Sequence, residues 1–192
     1  FLPGSRENEI KKLNPYFQEI YNYLYSLKNH NFEIFIPTLP HIEKKIRFLT
    51  KHWKIKTIIS TDPKKNETYY KNVFVSVTCS GTASLEIAKR MIPQIVVYKL
   101  NFLTYFIFSF LIKIRFANIL NIISNEMIIE EVVNRKLTSQ NLINAFDKLL
   151  NNNNFRDSQI DNIKKIIKEI DNKTNPYDNC EIRINEIISK AI

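Results

Sequence analysis

Val73-Phe74-Val75-Ser76-Val77-Thr78-Cys79-Ser80-Gly81-Thr82-Ala83-Ser84-Leu85-Glu86 decides the fold. An apolar run over 73–77 reads as a buried strand. A turn of small and hydroxyl residues follows, and a helical pattern opens at Ala83 and continues to Arg90. A second apolar run, Ile95 to Tyr98, reads as the next strand. Strand, glycine turn, helix and strand in this order form a βαβ unit, whose strands are parallel and whose crossover is right-handed.

The same grammar recurs toward both ends. Phe1-Leu2 reads as the tail of a buried strand, Pro3-Gly4-Ser5-Arg6 as a turn, and 7–29 as a helix with Ile10, Leu13, Phe17, Ile20, Tyr21 and Leu24 on one face. Glu7 and Glu9 suit the positive end of its dipole. Pro15 is expected to kink or split it. Strands are expected over 32–36 and 55–59, with a helix over 41–51 between them, a polar loop over 60–66 and a short helix over 67–71. Beyond Tyr98 the pattern changes. An apolar, aromatic run over 102–112 precedes helices expected at 126–134, 139–150, 155–171 and 177–191, with 151–154 as a linker. The fold class is therefore α/β, a parallel sheet with helices on both faces. The domain reading is a Rossmann-like unit over 1–150, its first strand truncated, with C-terminal helices over 151–192 packing back on it.

Glycine is scarce. Average usage would place roughly 13 glycines in this length, and the chain has 2, Gly4 and Gly81. Each sits in a Ser-containing turn between an apolar run and a helix. In open α/β sheets ligands bind at the carboxyl ends of the strands, where both turns fall. Gly4 and Ser5 can bring backbone N–H groups to a phosphate at a helix start, and Arg6 adds a planar cation suited to phosphate. The competing reading is a helix cap with a solvated arginine. At the second turn Glu86 lies one turn inside the helix, where a carboxylate can accept both hydroxyls of a ribose. The competing reading is a Ser or Thr cap with Glu86 on the surface.

With 44% hydrophobic and 24% charged residues the chain reads as globular. Its net charge of +9 favours an anionic partner. Nucleic acid, a nucleoside diphosphate and an acidic membrane all qualify, and charge alone does not choose among them. Cys79 and Cys180 make no CxxC pair, and His30, His41 and His52 lack metal-ligand spacing. A disulfide framework and a zinc site are unsupported, and a reducing compartment is the default. No secretory signal is visible. The opening residue is Phe1 rather than Met, which predicts that the sequence begins inside a larger protein.

The two turns and the blocks between them resemble the C-terminal half of lipid-A-disaccharide synthases. Leu2-Pro3-Gly4-Ser5-Arg6 with Glu9-Ile10 is similar to the opening of that half, and Ser80-Gly81-Thr82-Ala83 with Leu85-Glu86 to its central motif. Pro93, Val96-Val97-Tyr98-Lys99, Asn101 to Tyr105, and Asn118 to Ile123 followed by Glu126 and Glu130 continue in the same order, over residues 1 to about 150. The sequence departs from the family pattern at Ile129, where Pro is usual, at Val133, where Gln is usual, and at Val77-Thr78-Cys79, where Ala-rich sequence is usual. Two of these departures fall in or beside the helix expected from Glu126.

The resemblance implies a GT-B glycosyltransferase of two Rossmann-like domains, of which this chain is the second, holding the donor. The donor would be UDP-2,3-diacylglucosamine and the acceptor lipid X, its UMP-free phosphate. The product would be the β-1,6-linked disaccharide 1-phosphate precursor of lipid A. By the same resemblance Arg6 and Asn121 fall on positions tied to activity, and Ser80, Gly81, Thr82 and Glu86 on positions around the nucleotide. Gly4, Ser5, Lys99 and Glu126 complete the expected donor-binding set. The general base would come from the N-terminal half, a partner missing here. No Asp-x-Asp motif is present, which fits a transfer that needs neither metal nor other cofactor.

Leu100 to Ile114 holds about 15 residues, short of the ~20 that span a bilayer as a helix. Lys99, Lys113 and Arg115 flank it. It is expected to lie in an anionic membrane surface, with Phe102, Phe106 and Phe110 in contact with lipid. The competing reading is a buried core helix. The expected location is cytoplasmic, peripheral to the inner membrane of a Gram-negative bacterium. Two other functions stay open: another nucleotide-sugar GT-B enzyme, such as a UDP-sugar epimerase or a peptidoglycan glycosyltransferase, and a basic Rossmann-like module without catalysis. Nucleic acid is not an expected partner, and affinity for generic polyanions that falls steeply with salt would mark one.

Overall fold

A computed structural model describes residues 1–28, 31–79, 81–99 and 115–171. Five strands, β1 (Ile34–Pro37), β2 (Thr57–Ser60), β3 (Ser76–Cys79), β4 (Gln94–Tyr98) and β5 (Glu130–Val133), pair in parallel as β1-β2 and β3-β4-β5. Phe1 and Leu2 bridge the two ladders. The Leu2 N–H donates to the Val77 carbonyl at 2.9 Å, its carbonyl accepts from Cys79 at 2.8 Å, and the Phe1 nitrogen donates to the Phe35 carbonyl at 2.6 Å. The order across is thus β2, β1, residues 1–2, β3, β4, β5. Strand order reverses between Leu2 and β3, the switch point where doubly wound sheets open a ligand crevice.

Seven helices are described: α1 (Glu7–Ser26), α2 (Pro40–Thr50), α3 (Pro63–Tyr70), α4 (Thr82–Lys89), α5 (Ile119–Ser124), α6 (Ser139–Asn151) and α7 (Asn153–Asp171). Alternation along the strands sorts them onto two faces. Val77, Ile95, Val97 and Val132 pack with α1, α2 and α6, through residues such as Ile10, Ile42 and Phe146. Val96 points the other way, to Ala88 of α4, Leu120 of α5 and Ile163 of α7, while Leu2 meets Tyr70 of α3 and Ile87 of α4. The sheet is covered on both sides, which is why β4 reads as an unbroken apolar run.

Pro15 neither ends nor splits α1. It lies on the exposed face, where water can take the carbonyl bond it removes. Helix α3 starts earlier than its apolar pattern predicts, because Asp62 caps it, accepting from the N–H groups of Lys64 at 2.9 Å and Lys65 at 3.3 Å, with Pro63 at the first position.

One expectation is overturned: 126–134 is not a helix. Residues 130–133 form β5 beside β4, and Asn134–Lys136 make a single 3₁₀ turn. The adjacent acids Glu130 and Glu131 suggest a solvated helix face, but Glu131 is buried and its charge is met by three N–H donors.

The linker between α6 and α7 shrinks to Asn152. Arg156 donates to the carbonyls of Leu149 and Leu150 at 2.8 and 2.7 Å and so closes the end of α6. Ile163 and Ile166 of α7 share a core with β4 and α4. The helix expected at 177–191 lies outside the described residues. Among the described residues no helix is long and apolar enough to cross a membrane.

Candidate functional site

At the switch point a cleft of about 540 Å³ opens over the carboxyl ends of the strands. The first turn and α1 supply Gly4, Ser5, Arg6 and Glu9; the second turn and α4 supply Gly81, Thr82 and Glu86. Leu39 and Tyr70 stand on the flanks. Another cavity, of about 390 Å³, opens at the amino ends of β1 and β3, beside Ile34 and Ser76. That is the wrong end of a parallel sheet for a ligand.

Both glycines adopt the left-handed backbone that other residues avoid, with φ +113° at Gly4 and +140° at Gly81. Their surroundings differ. A Cβ on Gly4 would lie 2.8 Å from Oε2 and 3.2 Å from Cβ of Glu9. Gly4 is glycine because Glu9 folds beneath it. A Cβ on Gly81 would meet nothing within 4 Å and would project into open space.

Two helices aim their N-termini at the cleft. Arg6 is the N-cap residue of α1, with extended backbone, and Gly81 is that of α4. Neither provides a side-chain cap. The first turn of α1 holds Glu7 and Glu9, whereas that of α4 holds no acid. The positive end of the α4 dipole therefore stands open to the cleft. The Arg6 side chain is 79% exposed, and its Nη1 meets Oε1 of Glu9 at 3.1 Å; Glu9 itself is 20% exposed. Beneath them the Cys79 thiol is pushed up to about 12, first by burial and then by the Glu9 carboxylate, with Arg6 opposing. It is a neutral floor at physiological pH and not a nucleophile.

Of the residues expected at a donor site, Gly4, Ser5, Arg6, Gly81, Thr82 and Glu86 converge on this cleft. Three others do not line it. Lys99, at the end of β4, donates to the Tyr16 hydroxyl on α1 at 3.0 Å. Glu126 is exposed in the turn after α5, where its backbone exchanges bonds with the Ser124 hydroxyl. Asn121 is wholly buried. Its Nδ2 donates to the Ile129 carbonyl at 2.7 Å and to Glu131 at 2.8 Å, and its Oδ1 accepts from Ile128 and Ile129 at 2.9 and 2.8 Å. Every capacity of the amide is spent on the chain itself, in bonds to Ile128, Ile129 and Glu131.

Ser80, Phe102, Phe106, Phe110 and Lys113 lie outside the described residues. Arg115 is exposed and stands over the Phe116 ring, 5.1 Å from its centroid. Sequence reasoning left Glu9, Leu39 and Tyr70 out of the site. Glu9 had a signal, three residues after Arg6 on the same helix face. Leu39 and Tyr70 had none, since only the sheet order brings them to the cleft.

A buried polar chain ties the α4 wall to the rest of the domain. Ser84 donates to Oε1 of Gln94 at 3.0 Å and accepts from Asn118 Nδ2 at 2.5 Å. The backbone N–H of Asn118 in turn donates to Glu131 at 2.8 Å. Among the described residues no group of three or more His, Cys, Asp or Glu side chains is placed to hold a metal ion.

The sequence matches the profile of a family described as lipid-A-disaccharide synthetase over residues 1–184. Among similar proteins is the lipid-A-disaccharide synthase of Rhodospirillum centenum, 26% identical over 87% of this chain and 41% of the relative. The enzyme of the same name from Coxiella burnetii is 29% identical over 88% of this chain and 44% of its own length. That of Rickettsia felis is 29% identical over 98% and 48%. The chain spans less than half the length of these relatives.

Proposed function

The chain belongs to the lipid-A-disaccharide synthetase family, and from that premise we propose that it is the donor-binding half of a GT-B glycosyltransferase. The complete enzyme would condense UDP-2,3-diacylglucosamine with lipid X, releasing UDP and the disaccharide 1-phosphate. The observation that carries the reading is the meeting of both glycine turns in one cleft at the switch point.

The cleft's chemistry fits a nucleoside diphosphate. The open N-terminus of α4 and the N–H groups at the first turn favour the diphosphate, with Arg6 as an exposed cation beside them. Glu86 is exposed one turn along α4, where ribose hydroxyls can donate to it. Transfer would proceed by displacement at the anomeric carbon. The acceptor hydroxyl forms the new glycosidic bond and passes its proton to a base from the remainder of the enzyme. The bond to the diphosphate breaks, and UDP leaves with the electron pair. Fixed N–H dipoles and Arg6 would stabilise the charge growing on that leaving group.

Calorimetric titration of the chain with UDP, with and without EDTA, tests this. Binding is expected to be weak and indifferent to EDTA, and Arg6→Ala should weaken UDP more than uridine. Strict dependence on a divalent cation, or equal losses for both ligands, would contradict the assignment.

Peripheral attachment to an anionic membrane belongs to the same proposal. It is supported by the apolar run 100–114 between Lys99 and Arg115. Directly after it, α5 leaves Ile119, Ile122 and Ile123 about half exposed, with Met127 beyond. Each nearby basic residue adds on the order of 1 kcal/mol of attraction to such a surface. Cosedimentation with anionic vesicles should fall in high salt, and fall further for the Phe106→Ser/Phe110→Ser variant with UDP affinity unchanged. Undiminished cosedimentation of that variant would count against lipid contact.

A further inference from the structure

Of the two acids in the cleft that we assign to an anionic diphosphate, Glu86 faces the proposed ribose and Glu9 sits beside the proposed diphosphate cation, Arg6. Glu9 is 20% exposed beside Arg6, its Oε1 at 3.1 Å from the guanidinium. The other oxygen, Oε2, occupies the space that a Cβ on Gly4 would need. The left-handed Gly4 is thus the feature that lets the carboxylate sit under the first turn. Arg6 is 79% exposed and makes its one described ion pair with this partner.

We propose that Glu9 is a specificity-determining positioning residue, an internal counter-anion that holds Arg6 and so discriminates against simple polyphosphates; the proposal rests on the nucleotide reading of the cleft. The Glu9 carboxylate competes for the Arg6 guanidinium with a ligand that brings only phosphate, and repels it. A nucleoside diphosphate sugar brings sugar hydroxyl groups as well, which can donate to the carboxylate and offset that repulsion. Removing the partner of a hydrogen-bonded charge costs more than exchanging it, so the pair favours ligands that carry both functions. The same logic rejects a site's near-miss ligands when they lack a hydroxyl the site is built to meet.

The test is a double-mutant cycle on the full 192-residue chain, read by calorimetry with inorganic pyrophosphate and with UDP-N-acetylglucosamine. The variants are Glu9→Gln, Arg6→Ala and the double variant, each checked for native circular dichroism. Glu9→Gln keeps the shape and removes the charge. It should raise pyrophosphate affinity about three-fold, the size of an exposed ion pair, and narrow the preference for the nucleotide sugar over pyrophosphate. In the Arg6→Ala background the same change should have no effect, because there is no cation left to release. A rise that persists without Arg6 would show only a general field and overturn the proposal, as would an unchanged or reduced pyrophosphate affinity in Glu9→Gln. Should Glu9→Gln fail to fold, Glu9→Ala replaces it in the comparison, with the same rise in pyrophosphate affinity expected and a fall or no change overturning the role. If the wild-type chain binds no UDP, the nucleotide reading itself fails and takes this role with it.

Discussion

Gln159 of α7 continues the β-ladder with its side chain. Its Oε1 accepts the Gln94 N–H at 2.7 Å and its Nε2 donates to the Gln94 carbonyl at 3.0 Å. Strand β5 begins opposite Ile95, one residue too late to serve Gln94. The amide of Gln159 thus supplies, from a helix, the pair of bonds a strand would have made. Gln159→Leu leaves a buried donor and a buried acceptor unmet, at about 1–3 kcal/mol each. Urea unfolding should show a loss of about 3 kcal/mol, and a loss below about 1 kcal/mol would mean that water replaces the amide.

Asn121 is expected to behave as a fold residue. Asn121→Ala strands two N–H groups, one carbonyl and part of the Glu131 carboxylate. A destabilisation of about 3 kcal/mol or more follows from the unmet groups. The fraction that remains folded should bind UDP with unchanged affinity, measured at low temperature. A large drop in affinity without loss of stability would return Asn121 to the ligand.

The two glycines should separate fold from binding. Gly4→Ala drives a methyl into the Glu9 carboxylate at positive φ, so its melting temperature should fall clearly. Gly81→Val finds open space and carries only the cost of its backbone, about 1–3 kcal/mol. Its circular dichroism should stay native while UDP binding disappears, because Gly81 lines the cleft and the added side chain takes up space there. An unfolded Gly81→Val would make that glycine structural.

Cys79 gives the chain an alkaline weakness. The thiol's ordinary value of 9.0 is pushed up to about 12 in the folded state, by burial first and Glu9 second. The folded chain therefore binds more protons than the unfolded chain between these values. The stabilisation is fully present below pH 9 and is lost as pH rises toward 12. Urea midpoints measured above pH 9 should fall less for Cys79→Ala than for the wild type, relative to each protein at pH 7. Parallel falls would locate the alkaline sensitivity elsewhere.

Much of this protein is written locally. The apolar runs around Phe35, Val77 and Val96, and the two glycine turns between such runs and helical patterns, specify a parallel α/β sheet before any contact is known. Backbone torsion needs only the residue itself, so Gly4 and Gly81 announce their left-handed turns in the sequence. The family motifs around them likewise sit in contiguous residues. What the tertiary structure alone decided is how distant groups share their charges and bonds. Nothing local distinguishes Glu131, buried under three N–H donors, from Glu130 beside it, and so a strand looks like a helix there. The amide of Asn121 could serve a ligand or the chain, and only the fold brings Ile128, Ile129 and Glu131 to it. Arg6 and Glu9 are three residues apart in sequence, yet only the folded turn brings the Glu9 carboxylate to the space beside Gly4. Hydrogen bonds and ion pairs require both partners in place, and their partners come from other parts of the fold.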